Sequence, residues 1–400
     1  MEKNLRARFN ASFTTKKYAQ LLHCVNETER FPATFRVGEA PVFLTSEMCD
    51  TLVEAAHEIV AQTRTPEFRQ HAAKAIPRGL EVPKETAHPN FIQVDFGLCD
   101  DGAGGVAPRL IELQGFPSLY GFQLLLYRCL RDVYKAIPHD WVPFFSGINE
   151  FGYIDCLREV IVGNADPQNV VLLEIEPEKQ DTRVDFACME SMLGIRSVCV
   201  TEVRKVGREL FYQCDGRTVR IERIYNRVIF DELIRRPDLQ LGFSFRDDLD
   251  VHWAGHPNWY FRISKHALPF LQTDATTPAY FADQFPARES LGNYVLKPLY
   301  SFSGLGVDLE PTRETLRALD KPHDWILQQK VHYVDLIPTP DGPLSKVEIR
   351  MMFVWPDGGE PMLVNNLVRM SQGAMMGVKF NKDKTWVGSS VALHRPEPEN

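Results

Sequence analysis

The stretch from Asn169 to Val203, "NVVLLEIEPEKQDTRVDFACMESMLGIRSVCVTEV", constrains the fold more than any other part of the chain. A β-rich run, a helical run that closes on Gly194 and a second β-rich run make a βαβ unit. Two strands joined through a helix pair in parallel, and a parallel sheet needs cover on both faces. From about residue 151 the sequence therefore predicts an α/β subdomain. "RELFYQCDGRTVRIERIYNRV" extends it with a hairpin turning at Asp215-Gly216 and a further strand.

The flanking parts read differently. "SEMCDTLVEAAHEIVAQTR" places Met48, Leu52, Ala55, Ala56 and Ile59 on one helical face, with Ser46 as the expected N-cap. Two strand-like runs follow, within "NFIQVDFGL" and "PRLIELQGF", and then a helix over "YGFQLLLYRCLRDVYKAI". Beyond residue 262 the pattern is α+β and mostly antiparallel. The expected division is 1–150, 151–262 and 263–400, in an α+β fold with an α/β subdomain.

The bulk numbers narrow the partners. A chain of 400 residues with 44% hydrophobic and 24% charged content builds substantial cores. A formal charge of −8 argues against a nucleic-acid partner, which basic surfaces bind. The first twenty residues lack an apolar h-region, and no run approaches the roughly 18 apolar residues that span a bilayer. The expectation is a cytoplasmic protein without a membrane partner; a homodimer stays open. Its eight cysteines form no close CxxC pair and are expected as buried, reduced thiols.

Three groups of residues bear on chemistry. In "YVLKPLYSFSGLGVDLE" a strand delivers Lys297 into a Ser/Gly-rich loop, and the apolar/polar alternation after Gly306 returns as a strand, closing a hairpin. An ammonium beside glycine-freed backbone N–H groups suits polyphosphate oxygens; a hairpin that merely needs Gly304 and Gly306 at positive φ is the plain alternative. In "VDFGLCDDGAGGVAPRLIELQGFPS" an antiparallel return brings Asp95 beside Glu112 and Gln114, hard oxygen donors of the kind Mg²⁺ prefers; a solvated sheet face is the alternative. Arg350 and Arg369 each sit inside an apolar strand, where a guanidinium needs an anionic or bidentate acceptor. The chain has no HExxH motif and no nucleophile elbow.

Taken together these segments resemble ATP-grasp enzymes of the glutathione-synthetase-like kind. "YVLKPLYSFSGLGV" resembles the strand lysine and phosphate-covering loop, "WILQQKVHYVD" the hinge strand that holds adenine, and "HPNWYFRISKHALPFL" the segment with an earlier lysine. "VEIRMMFVWPDGGEPMLVNNLVRM" is similar to the strands carrying anion-binding arginines, and "VDFGL" with "RLIELQGFPSLYG" to the metal-binding strands. Gln114 replaces the usual Asn, and Gln93 stands where many members have arginine. The metal strands precede the lysine loop instead of following it, which implies a circular permutation with the nucleotide cleft between antiparallel sheets.

The resemblance implies an ADP-forming, ATP-dependent ligase that activates a small carboxylate (an amino acid or peptide) as an acylphosphate for an amine or thiol co-substrate. ATP and Mg²⁺ are the implied cofactors. Asp95, Glu112 and Gln114 would hold the metal. Lys265, Lys297, Ser301, Ser303, Gly304 and Gly306 would enclose the phosphates. Gln328, Gln329, Lys330 and Val331 would read adenine, Asp335 a ribose hydroxyl, and Arg350, Arg369 and Lys297 would act in catalysis. Arg223 and Arg227 are offered to an acidic substrate. A nucleotide-binding regulatory protein without ligase activity and a kinase acting on a hydroxyl are the rival expectations.

Overall fold

The computed structural model describes residues 1–301, 304–340, 342–373, 376, 381 and 383–396. It mixes helices with both antiparallel and parallel sheets. The central element is a five-stranded antiparallel sheet, ordered Gly388–Ser390, Met362–Ser371, Lys346–Val354, Phe91–Asp100, Val106–Gln114. Two neighbouring strands from the first third of the chain thus complete a sheet whose other three come from the last sixty residues.

Period-two alternation explains why these strands pack as they do. Ile92, Val94, Phe96 and Leu98 share one face with Val347, Ile349, Met351 and Phe353, all fully buried. Helix Ser46–Thr63 lies against that face through Leu52, Ala55, Ala56 and Ile59, the predicted stripe. Its cap falls one residue earlier than expected, because the Thr45 hydroxyl accepts from the Met48 N–H. The other face of the sheet carries Gln93, Asp95, Glu112, Gln114, Glu348, Arg350 and Arg369.

The βαβ unit forms as the sequence predicts: strand Val170–Glu174, helix Arg183–Leu193 and strand Arg196–Cys199. These belong to a four-stranded, all-parallel sheet ordered His252–Ala254, Arg223–Asn226, Val170–Glu174, Arg196–Cys199. Gly194 ends the helix at φ +74°. Asp215 and Gly216, at φ +50° and +77°, make the tight turn between strands Glu209–Cys214 and Arg217–Ile221.

A third sheet runs Ala279–Phe281, Trp325–Gln329, Tyr294–Pro298, all antiparallel. The return after Gly306 is shorter than the sequence predicts. A single two-bond bridge joins Asp308 to Leu296, with both N···O distances at 2.9 Å. The segment "HPNWYFRISKHALPFL" forms a short helix, Asn258–Arg262, and a 3₁₀ turn, Lys265–Phe270, which Ser264 caps by accepting from the His266 N–H.

The cysteine expectation needs correction. Cys24 and Cys129 are 105 residues apart yet form a disulfide that ties helix Thr15–Thr28 to helix Tyr120–Val133. The remaining six are free; all but Cys214 are buried. Among the described residues no helix is long and apolar enough to cross a membrane. A cross-link that closes so long a loop restricts the unfolded chain. Cys129→Ser is therefore expected to lower stability by about 2–4 kcal/mol in urea denaturation. Alkylation of the unfolded, unreduced chain should modify only the six free thiols.

Candidate functional site

The polar face of the five-stranded sheet is organised around Asp95, whose side chain is only 1% exposed. The register sets Asp95 directly opposite Glu112 on one neighbour and Arg350 on the other. Arg350 meets it as a fork: Nε donates to Oδ1 at 2.6 Å and Nη2 to Oδ2 at 2.7 Å. The third nitrogen, Nη1, donates to Gln93 Oε1 at 3.0 Å. Arg369 reaches across from the next strand, donating from Nη2 to Asp95 Oδ2 at 3.0 Å and pairing through Nη1 with Glu348 Oε1 at 3.2 Å. The two arginines differ in access: 6% of the Arg350 side chain is exposed, against 36% for Arg369.

A β-bulge links this cluster to the lysines. Pairing slips between Asp95 and Phe96, so that Ile111 is the extra residue on the Glu112 strand. Lys297 Nζ donates to the Ile111 carbonyl at 3.2 Å and to Gln328 Oε1 at 2.6 Å, while Gln328 Nε2 donates to the Leu110 carbonyl at 2.9 Å. The third sheet is thereby pinned to the edge of the first. Lys265, at the start of the 3₁₀ turn, pairs with Glu112 Oε1 at 2.8 Å and donates to the Ser301 carbonyl at 2.6 Å. Glu112, Gln114, Lys265 and Ser301 border a cavity of about 20 Å³, enough for roughly one water.

The electrostatics follow from this crowding. Burial works to raise the Glu112 pKa, but Lys265, aided by Lys297 and Arg369, outweighs it and brings it to about 2. Burial lowers the Lys297 ammonium to about 8, with Lys265 adding to the effect and Glu112, Glu348 and Asp95 opposing it. Glu348 is pushed up by burial despite Arg369. Arg369 is held firmly charged, because Glu348, Asp95 and Glu112 overcome its burial.

The remaining sequence candidates lie as follows. Gly304 and Gly306 adopt φ +70° and +77°, and a Cβ on Gly306 would meet Pro298 Cγ at 2.9 Å. Ser303 lies outside the described residues. The proposed adenine strand is central in its sheet. The Gln329 N–H donates to the Pro278 carbonyl at 2.9 Å and the Lys330 N–H to the Asn293 carbonyl at 2.8 Å. Lys330 Nζ turns to Glu310, Val331 is half-buried, and Asp335 is exposed. Arg223 donates to the Val160 and Ile161 carbonyls. Arg227 is buried between the Phe116 and Phe186 rings, 4.9 and 5.3 Å from its guanidinium carbon.

Two members of the cluster escaped the sequence reading. Glu348 pairs with Arg369, and Tyr333 donates its hydroxyl to Glu348 Oε2 at 3.1 Å. Tyr333 reaches the sheet because residue 97 is glycine: a Cβ there would stand 2.6 Å from its ring. Glu348 was legible as the polar partner of Arg350 in the alternation of "KVEIRMMFV"; Tyr333 had no such signal.

As a magnesium site the trio Asp95, Glu112 and Gln114 does not fit. Both Asp95 oxygens already accept from guanidiniums and Glu112 Oε1 is held by an ammonium. Among the described residues no three His, Cys, Asp or Glu side chains group so as to hold a metal.

Arg350→Met leaves Asp95 buried with only one partner and is expected to cost about 3–5 kcal/mol. Combining it with Asp95→Leu should cost less than the sum of the single changes in urea melts, revealing their coupling. A depressed carboxyl stabilises the fold above its unfolded pKa, near 4.5, and loses that contribution as pH falls through about 2. The advantage of the unaltered chain over Glu112→Gln, about 2 kcal/mol at pH 6, should therefore shrink between pH 4.5 and 2.

No protein-family model matches the chain, and no curated protein matches it in sequence. Among solved structures it is similar to a glutathione synthetase like-effector (GSS30) from Globodera pallida in its apo form. The match has a TM-score of 0.54 at 10% identity and covers 94% of this chain and 97% of that one. The two proteins share a fold, the glutathione-synthetase-like one.

Proposed function

We propose that the chain is an ATP-dependent ligase that joins a small carboxylic acid to an amine or thiol. On this view it is a circularly permuted ATP-grasp protein in which residues 1–150 supply the acidic strands, 151–262 the substrate domain and 263–400 the nucleotide-binding part. The observation that carries the proposal is the gathering of Lys265, Lys297 and Arg369 about the Asp95–Glu112 pair, on elements far apart in the chain: Lys265 on Glu112, Lys297 on the Ile111 carbonyl and Arg369 on Asp95. The shared fold with a glutathione synthetase like-effector supports it.

ATP would lay its phosphates on Lys265, Lys297 and the loop containing Ser301, Ser303, Gly304 and Gly306. The base would lie along Gln328 to Val331, with Asp335 offered to the ribose. The acid's carboxylate oxygen attacks the γ-phosphorus; the bond to the β,γ-bridging oxygen breaks and ADP leaves. The amine or thiol then attacks the acyl carbon, loses its proton and expels phosphate. Positioning and charge stabilisation carry such chemistry. Because the acidic trio does not fit magnesium, the cationic work falls to the lysines and to Arg369. Arg350, whose donors go to Asp95 and Gln93, positions the cluster and does not touch the reacting atoms.

A second reading, a nucleotide-binding regulatory protein, is favoured by one observation: Asp95 is wholly engaged by arginine. Phosphate release from ATP, with and without magnesium, should rise in one of several pools of amino acids, peptides, amines and thiols. ATP binding without stimulation by any pool selects the regulatory reading, and a stable phosphorylated product selects a kinase. Lys297→Ala should weaken ATP binding at least tenfold, as loss of a recessed charged contact does.

A further inference from the structure

Three carboxylates on the polar face, Asp95, Glu112 and Glu348, are outnumbered by four cations, Lys265, Lys297, Arg350 and Arg369. Magnesium at a phosphate site is held by one or two carboxylates together with the substrate's phosphates, so it needs carboxylate oxygens that are not already committed to cations. Here each Asp95 oxygen would have to surrender a charge-assisted bond of 2.6–3.0 Å and accept a dication at about 2.0–2.1 Å, beside two guanidiniums. Placing like charges so close in a recess shielded from water is strongly unfavourable. Three of the four cations, by contrast, gather about Glu112: Lys265 pairs with its Oε1 at 2.8 Å, Lys297 donates to the carbonyl of the preceding residue, Ile111, at 3.2 Å, and Arg369 donates at 3.0 Å to Asp95, the residue directly opposite it in the sheet. Glu112 therefore occupies the place where converging cations would meet an anion's oxygens.

We propose that this face binds a polyphosphate anion without a divalent cation, with Lys265, Lys297 and Arg369 as its contacts and Asp95 as the buried counter-ion that aims Arg350 and Arg369. Glu112 then acts as an internal competitor that the incoming anion displaces from Lys265. The inference rests on the proposed function only for the identity of the anion as a nucleotide.

Calorimetry on the full chain with ATP and with inorganic tripolyphosphate, each in EDTA and in magnesium, tests it. Tripolyphosphate is expected to bind in EDTA at least as tightly as in magnesium. Glu112→Gln should tighten that binding by about tenfold, since it removes a like charge at contact distance. Arg369→Met should weaken it by about tenfold or more. Binding of both probes only in magnesium, lost in Glu112→Gln, would overturn the inference while leaving the ligase proposal intact. Tripolyphosphate binding in EDTA with no binding of ATP would uphold the inference and remove the nucleotide. Failure of both probes in both buffers would overturn it as well. Should Glu112→Gln not fold, the comparison of the two buffers on the unaltered chain decides alone.

Discussion

Burying the Asp95 carboxylate at 1% exposure obliges the sheet to supply charge for it, and two arginines on two successive strands do so. Such an ion cluster adds little net stability over a well-packed apolar core, yet it is intolerant of a missing member. Its larger effect is on register. A slip of one residue along the Phe91–Asp100 strand would turn Asp95 onto the face where Val94 and Phe96 meet the Ser46–Thr63 helix, and leave both arginines unpaired. The cluster therefore selects which pairing of the Phe91–Asp100 strand with the C-terminal strands is allowed.

The bulge at Ile111 extends that control to a second sheet. An extra residue leaves a carbonyl outside the regular ladder, and Lys297 takes it. Gln328 then satisfies both partners at once, accepting from Lys297 and donating to Leu110. The consequence is electrostatic as well as structural. Lys297 is held by the Ile111 carbonyl and Gln328, and burial lowers its ammonium to about 8.

Much of this was legible in the residues, for definable reasons. The βαβ unit, the apolar stripe of Ser46–Thr63 and the Asp215-Gly216 turn each rest on local rules, which hold wherever tertiary packing agrees with them. Alternation also put Asp95, Glu112 and Gln114 on one face, since strand periodicity determines facing. It did not reveal that Arg350 would spend its donors on Asp95, because pairing across 255 residues is decided by sheet order and not by local pattern. The Cys24–Cys129 bond escaped for the same reason, and the bulge because no glycine or proline marks it. Tyr333 was invisible until the space left by Gly97 was known.

Arg350 and Arg369 are one residue type with two divided tasks, and burial makes the division. Arg350, with three nitrogens engaged and 6% of its side chain exposed, has no freedom to follow a ligand. Arg369 shares the same carboxylate through one nitrogen and leans on Glu348 through another, with 36% of its side chain open. An anion that draws Arg369 away weakens one contact to Asp95, while the fork from Arg350 keeps that carboxylate neutralised. The sheet can thus give one arginine to a ligand without exposing an uncompensated buried charge. A single arginine on Asp95 would have to choose between the two tasks.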